Sequence, residues 1–493
     1  MKPNKNRSDP PTDADYEGHG PQTFIVQIRD KKTHQPLPGI AVGDIGPKYG
    51  YASMDNGYML FDHFRVPRSA MLSRYAEVSD ETGAFMRTGH PAVVYGSLTF
   101  VRGQIIMHAR LVLARAVTVA VRYCSIRRQF RDRDSKSPSD DEMKVLDYPT
   151  VQIRILPLLA TTFALHYTGE YMYKLYHQSR QTIETGDFGP LAELHSASSG
   201  LKSLCTMLAA DGIETCRRAM GGHGFGGGSG LVGLNSDYLS KPTVEGDNWM
   251  ITQQVAAYLI KKMTDNIANP DRPPKDPTDE LFQYYLRNRG HRIPQSVVKD
   301  NGNTDDQTIV DVFQWRAADL SYRAYQARVV EKKPWTKLMI QLHNLSRAYS
   351  EQILVTNFYN SFSSTATTLS GPTPAVLRTC FRLYALYTLD TFASSFTMTT
   401  AVSAESVYGL QDAILGLMGE LRPHAVKLVD AWSIPDWLLN SALGRSDGKV
   451  YEELFDMAHR RNPLNRVTFN PDWRSEEIVL GSGDGARQVL AKL

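Results

Sequence analysis

A chain of 493 residues with 55 Lys and Arg against 52 Asp and Glu carries a formal charge of +3, too near balance to attract a polyanion by its net field, and no basic stripe marks a nucleic-acid surface. The four cysteines, Cys124, Cys205, Cys216 and Cys380, never form a C-x-x-C pair, so no zinc spacing and no metal site is expected, and they fit a reducing compartment as buried small hydrophobes. No run of 18 apolar residues occurs, so no membrane span is expected, and the length allows two to four domains.

In chain order, residues 1–20 are polar and Pro-rich without the apolar core of a secretory signal, and are expected to be disordered. Residues 21–90 predict strands and turns: Thr23–Arg29 is a short apolar run, Tyr58–Val66 is rich in aromatics, and Gly39, Gly43, Gly46, Gly50 and Gly57 punctuate the stretch. This is a partial β domain, too short to close a barrel comfortably. From Gly96 the period becomes helical, with Leu98, Val101, Ile105, Val112, Ala116 and Val119 on one face running towards Arg127. Further helices are predicted at about 148–178, with Pro157 as a kink, at 195–220 and at 247–265, giving a four-helix bundle over 91–268. Residues 269–280 contain Asn269-Pro-Asp-Arg-Pro-Pro-Lys-Asp-Pro277, a strong breaker and a linker. Beyond it, long helices over 309–330, 335–362, 374–396 and 405–432 predict a second bundle within 281–493. The fold class is therefore α+β, mostly α: a partial β-barrel domain followed by two helical bundles.

Two features suggest chemistry. Glu245, in Pro242-Thr-Val-Glu-Gly-Asp-Asn-Trp249, stands at the entrance of the helix predicted from 247, ahead of a run with few nearby cations, where it suits a general base. On spacing alone, ordinary capping of that helix is the stronger reading. The glycine cluster Met220-Gly-Gly-His-Gly-Phe-Gly-Gly-Gly228 follows a helical rather than a strand-like segment and no P-loop lysine follows it, so a nucleotide-binding βαβ unit is not indicated. Arg127 and Arg128 admit two readings, an anion clamp or a solvated pair complementing a helix end.

Several separate stretches resemble the peroxisomal acyl-CoA oxidases, a branch of the acyl-CoA dehydrogenase superfamily: Val42-Gly-Asp-Ile-Gly-Pro-Lys-Tyr-Gly50, Asp55-Asn-Gly-Tyr58, Phe100-Val-Arg102, Pro157-Leu-Leu-Ala160, Gly221-Gly-His-Gly224, Glu245-Gly-Asp-Asn248 and Leu443-Gly-Arg-Ser-Asp-Gly448, in family order over roughly residues 20–465. The resemblance implies FAD as cofactor, fatty acyl-CoA and dioxygen as substrates, trans-2-enoyl-CoA and hydrogen peroxide as products, and a homodimer whose flavin site is shared between subunits. It makes Glu245 the base that removes the α proton, with the backbone N–H of the same residue and the flavin ribityl chain as donors to the thioester carbonyl. Arg127 would meet the FAD pyrophosphate of the neighbouring subunit, Phe130 the cofactor, and Gly221 and Gly222 its adenosine half; Asn248 would reach flavin, and Arg102 and Gly246 the substrate. Two positions depart from the dehydrogenase pattern, Arg218 for a glutamine and Thr99 for an aspartate, while His63 and His223 are expected to be structural. The terminal Ala491-Lys492-Leu493 is a variant of the Ser-Lys-Leu address, implying a peroxisomal import receptor as partner and a peroxisomal location. The resemblance also implies that a helical domain and the first part of the β domain are missing. That leaves two alternatives to an oxidase: a truncated, non-catalytic dimerisation or interaction module, and a dehydrogenase that passes electrons to an electron-transfer flavoprotein.

Overall fold

The structure is a computed structural model that describes residues 18–20, 22–87, 96–135, 141–185, 189–298, 305–365 and 369–466. The expectations for residues 1–17 and for Ala491-Lys492-Leu493 lie outside the described residues.

The β region forms two separate antiparallel ribbons. β1 (Ile40–Asp44) pairs with β2 (Gly57–Phe61) in the register Ile40 to Phe61, and β3 (Ala76–Val78) pairs with β4 (Phe85–Arg87). The expected strand at Thr23–Arg29 reduces to single bridges, Phe24 with Met71 and Arg29 with Pro36. A lone strand pair cannot bury both faces, and Tyr58, Met59, Leu60 and Phe61 are all exposed.

The helical part follows the apolar periodicity closely. α1 (Gly96–Ile126) sits between α2 (Pro149–Glu184) and α3 (Leu191–Ala219), and its Ile106, Leu113, Val117, Ala120 and Cys124 are fully buried. Each large apolar side chain removed from water in this way contributes about 1.5–3 kcal/mol before conformational entropy is counted. Over Leu98–Ile126, α1 is also long and apolar enough to cross a membrane. Arg102, Arg110, Arg115 and Arg122 interrupt its apolar run, so no uninterrupted stretch of 18 apolar residues marks it in the sequence. In the fold it is a bundle's core helix, and its Arg122 is ion-paired to Asp430 and Asp436. α2 runs through Pro157 without a break in helical assignment.

Two short helices lead out of α3, α4 (Gly221–Phe225) and α5 (Leu231–Tyr238), and the long α6 (Asn248–Ala268) then packs back on α3. The stretch 269–280, expected to be a linker, is instead a tight corner. Lys262 on α6 and Arg272 both pair with Asp279, which is fully buried and already belongs to α7 (Pro277–Asn288). The prolines break the helix, but the ion pairs fix the turn.

α8 (Asp306–Tyr325) ends in a π-helical turn over Gln326–Val330 and packs on α9 (Trp335–Thr365), followed by α10 (Thr373–Thr391) and α11 (Ala393–Met398). The single helix expected over 405–432 is divided into α12 (Ala404–Tyr408), α13 (Leu410–Leu421) and α14 (Ala425–Asp430). Gly409 sits at the first junction, and Pro423 lies in the 3-10 turn Arg422–His424 at the second. Two short helices close the described chain, α15 (Asp436–Leu439) and α16 (Val450–His459). The second bundle rests on the first through α2 with α9 and α10 and through α6 with α8 and α9, so one apolar core runs through both.

Candidate functional site

Glu245 stands just ahead of α6, at the helix entrance. Its φ is +57° and that of Gly246 is +101°, so two consecutive residues turn left-handed before α6 begins. Asp247 is the N-cap, accepting from the Trp249 N–H at 2.9 Å, which removes the capping alternative for Glu245. The Glu245 side chain is half-buried, and its Oε2 is buried without a hydrogen-bond partner. An orphaned carboxylate oxygen costs free energy and is the kind of group a ligand satisfies.

Although the sequence around Glu245 is poor in cations, the fold brings two beneath it. Arg102, on α1 and 4 % exposed, donates from Nε to the Glu245 carbonyl at 3.1 Å and from Nη1 to Ser199 Oγ at 3.1 Å. Lys202, on α3 and 0 % exposed, donates to Pro242 O at 3.2 Å, Gly246 O at 2.8 Å and Asn248 Oδ1 at 2.9 Å. Burial lowers the pKa of both cations, and the Glu245 charge acts in the opposite direction on each; the Lys202 ammonium falls to about 8.

These contacts correct two expectations. Asn248 does not face outward to a cofactor: it is buried, with Oδ1 on Lys202 and Nδ2 donating to Ser203 O at 3.1 Å and Thr206 Oγ1 at 3.0 Å, so its polar atoms are spent tying α6 to α3. Arg102, expected to touch substrate, is turned under the loop, where it holds Glu245 by its backbone.

Beside this loop lies a cleft of about 780 Å³. One wall is the β1–β2 connection with Ile45, Tyr49 and Met54; the other is the approach to Glu245, including Leu239, Lys241 and Val244. The connection is anchored by Tyr51, whose N–H donates to Asp237 Oδ1 at 2.6 Å, and by Gly50, where a Cβ would stand 2.3 Å from the Ser236 carbonyl oxygen. Apolar walls with lysine ammoniums at the margin suit an amphipathic anion.

The other expected site residues gather at the far end of α3. Arg127, half-exposed, donates to Tyr451 Oη at 3.0 Å and to Gln129 Oε1 at 2.6 Å. Phe130 is 71 % exposed. Gly221 and Gly222 are open, with nothing within 4 Å of where a Cβ would lie, and Gly221 holds φ +62°. His223 joins them structurally, its Nδ1 2.7 Å from Tyr123 Oη and its ring against Tyr451. Arg218 pairs with Glu214, and His63 is exposed beside Asp62. The structure thus groups Arg127, Phe130, Gly221 and Gly222, and separates them from Glu245 and Gly246 by roughly 25 Å of α3 between Lys202 and Ala219.

Lys202, Ser199 and Tyr451 were missed from sequence. A signal for Lys202 exists: Ser199, Lys202, Ser203 and Thr206 recur at three- and four-residue steps, a polar stripe that is buried in α3. Among the described residues, no three His, Cys, Asp or Glu cluster to hold a metal, and the four cysteines are buried.

Comparison with known proteins agrees with this architecture. The C-alpha1 domain of acyl-CoA oxidase matches residues 95–260, and the acyl-CoA oxidase family matches residues 305–477. Peroxisomal acyl-coenzyme A oxidase 1 of Cavia porcellus is 35 % identical over 462 residues, covering 91 % of this chain and 67 % of the relative. The Mus musculus protein of the same name is 35 % identical over 464 residues, covering 92 % and 68 %. Among solved structures, Arabidopsis thaliana acyl-CoA oxidase 1 superposes with a TM-score of 0.83 at 33 % identity, covering 95 % of this chain and 69 % of that one. Acyl-CoA oxidase-1 of Caenorhabditis elegans, in a complex with FAD and ATP, gives 0.83 at 28 % identity, covering 97 % and 68 %. The chain spans about two thirds of the length of these relatives. With one continuous relationship running through the β ribbons and both helical bundles, the chain belongs to the acyl-CoA oxidase family.

Proposed function

We propose that the chain carries the proton-abstracting half of a flavin-dependent oxidation in which a fatty acyl-CoA becomes the trans-2-enoyl-CoA and dioxygen becomes hydrogen peroxide. The observation that carries this reading is the half-buried Glu245 carboxylate, orphaned at Oε2 and fixed in a left-handed turn directly after Thr243 and Val244, which line a cleft. A carboxylate so placed accepts the α proton of a thioester onto an oxygen that has no competing donor. Arg102 and Lys202 hold the backbone on either side of it from beneath the loop. The apolar walls of the cleft suit an acyl chain, and Lys241 at its margin suits the anionic part of the substrate.

The residues at the far end of α3 fit FAD: open glycine backbone at Gly221 and Gly222 permits close approach, and the Arg127 fork beside it suits a pyrophosphate. When bound, FAD supplies the acceptor for the β hydrogen and the link to dioxygen. The distance between this patch and Glu245 on one protomer favours a homodimer in which each flavin is shared. The names of the relatives and the terminal Ala491-Lys492-Leu493 favour a peroxisomal location through an import receptor.

Replacing Glu245 by Gln is expected to leave flavin content near normal and to lower turnover by about 10²–10⁴-fold; unchanged turnover would end the assignment. The exposed faces of β2 favour a second reading, a non-catalytic module whose β surface awaits a partner. Purified chain with a flavin absorption band would reject it, and a colourless monodisperse dimer would support it.

A further inference from the structure

The loop that bears Glu245 is held in an expensive conformation. A non-glycine residue in the left-handed region costs about 1–3 kcal/mol and persists only where its surroundings over-determine it. What over-determines it here is mainly Lys202. Its ammonium has three N–H donors and meets three acceptors, Pro242 O, Gly246 O and Asn248 Oδ1, which bracket Glu245 on both sides. A buried cation is a poor means of gaining stability, since an apolar side chain of similar size often serves as well. Its presence under this one loop therefore points to geometry.

We infer that Lys202 is a positioning residue: it touches no reacting atom, and it fixes the Pro242–Asn248 loop so that the Glu245 carboxylate is presented in one orientation. The inference rests on the reading of Glu245 as the base. The charged groups that act on the ammonium are Arg102 from α1 and Lys241, Glu245 and Asp247 from the loop. With the ammonium titrating at about 8, it supplies all three donors near neutral pH, whereas the neutral amine supplies only two.

The test compares Lys202→Met and Lys202→Gln by amide hydrogen exchange in the purified chain without substrate. Val244, Asn248 and Trp249, whose N–H groups donate to Ser240 O, Pro242 O and Asp247 Oδ1, are expected to exchange about 10- to 100-fold faster in Lys202→Met, the range set by losing a charged hydrogen bond, and less so in Lys202→Gln. The α3 amides from Cys205 to Ala219 should keep their protection; loop exchange equal to wild type in both variants would overturn the inference. Should Lys202→Met fail to fold, wild type decides alone: loop protection, corrected for intrinsic exchange, should fall between pH 7 and 9.5, and a flat profile overturns it. In flavin-loaded enzyme Lys202→Met should lower kcat about 10- to 100-fold with KM and flavin content unchanged, whereas a raised KM at unchanged kcat would contradict positioning. A loosened loop together with a fully active Glu245→Gln would instead overturn the base assignment, so the two failures are distinguishable.

Discussion

Replacing Gly246 by alanine would set a methyl group 2.2 Å from Ile251 Cγ2 and 3.6 Å from Arg102 Nη2, at a backbone φ of +101° that side chains rarely adopt. The backbone contribution is about 1–3 kcal/mol and the overpacking against a buried Ile251 a further ~1–3 kcal/mol. The loop could escape by moving, but only by giving up the Lys202 bond to Gly246 O or the Arg102 bond to Glu245 O, each about 1.5–3 kcal/mol for a charged donor. Either route destabilises by at least about 1.5 kcal/mol, so urea unfolding of Gly246→Ala should show a lower midpoint with an unchanged slope. A double-mutant cycle with Ile251→Ala separates the two contributions: the steric part should appear as a favourable coupling of about 1–3 kcal/mol, and the backbone part should remain. A stability within about 0.5 kcal/mol of wild type would refute this account of the loop.

Asp279→Ala should cost about 3–5 kcal/mol, because it leaves Arg272 facing a buried gap and Lys262 with Asp276 as its remaining partner; urea unfolding measures it. Burial works to raise the Asp279 pKa, but hydrogen bonds from Asn266, Lys262 and the Lys275 N–H outweigh it and hold the carboxyl below its ordinary value. The stability this group contributes is therefore full above about pH 4, its unfolded value, and is lost as pH falls through the folded one, so wild type should weaken more steeply in acid than Asp279→Ala. His343 stacks on Trp249 at 3.8 Å, and burial, reinforced by Arg347, lowers its pKa, leaving the ring neutral at pH 7. Trp249 emission should stay constant down to about pH 6.5 and fall below it as the imidazolium forms, read as the difference from His343→Gln. A folded pKa below the unfolded one also means that stability declines as pH drops below about 6.5, and a pH-independent emission difference would contradict the stacking.

The sequence determined the helices and their buried faces. Of the six apolar positions on that face of α1, Ile105, Val112, Ala116 and Val119 lie in the core, because the side of a helix that leaves water is written in local periodicity, whereas Leu98 is half-buried and Val101 exposed near the helix start. The same signal misled at 405–432: Leu410, Ile414, Leu417, Leu421, Ala425 and Val429 keep a helical period and are all buried, so their pattern outvoted Gly409 and Pro423 at the junctions where the chain actually breaks. The prolines of 269–277 foretold an interruption, but its rigidity came from Asp279 and its two cations.

Glu245 was legible as a candidate because a glycine and a helix start follow it in the chain. Its surroundings were not. Arg102 reaches it from 143 positions away, and Lys202 meets Gly246 and Asn248 from 44 and 46 away; only tertiary packing brings them under one loop. That packing turned Asn248 inward and made Arg102 a support for the loop. Local pattern specifies which residues leave water, whereas the pairing of buried polar groups depends on which distant elements share a core, and so it was decided by the fold.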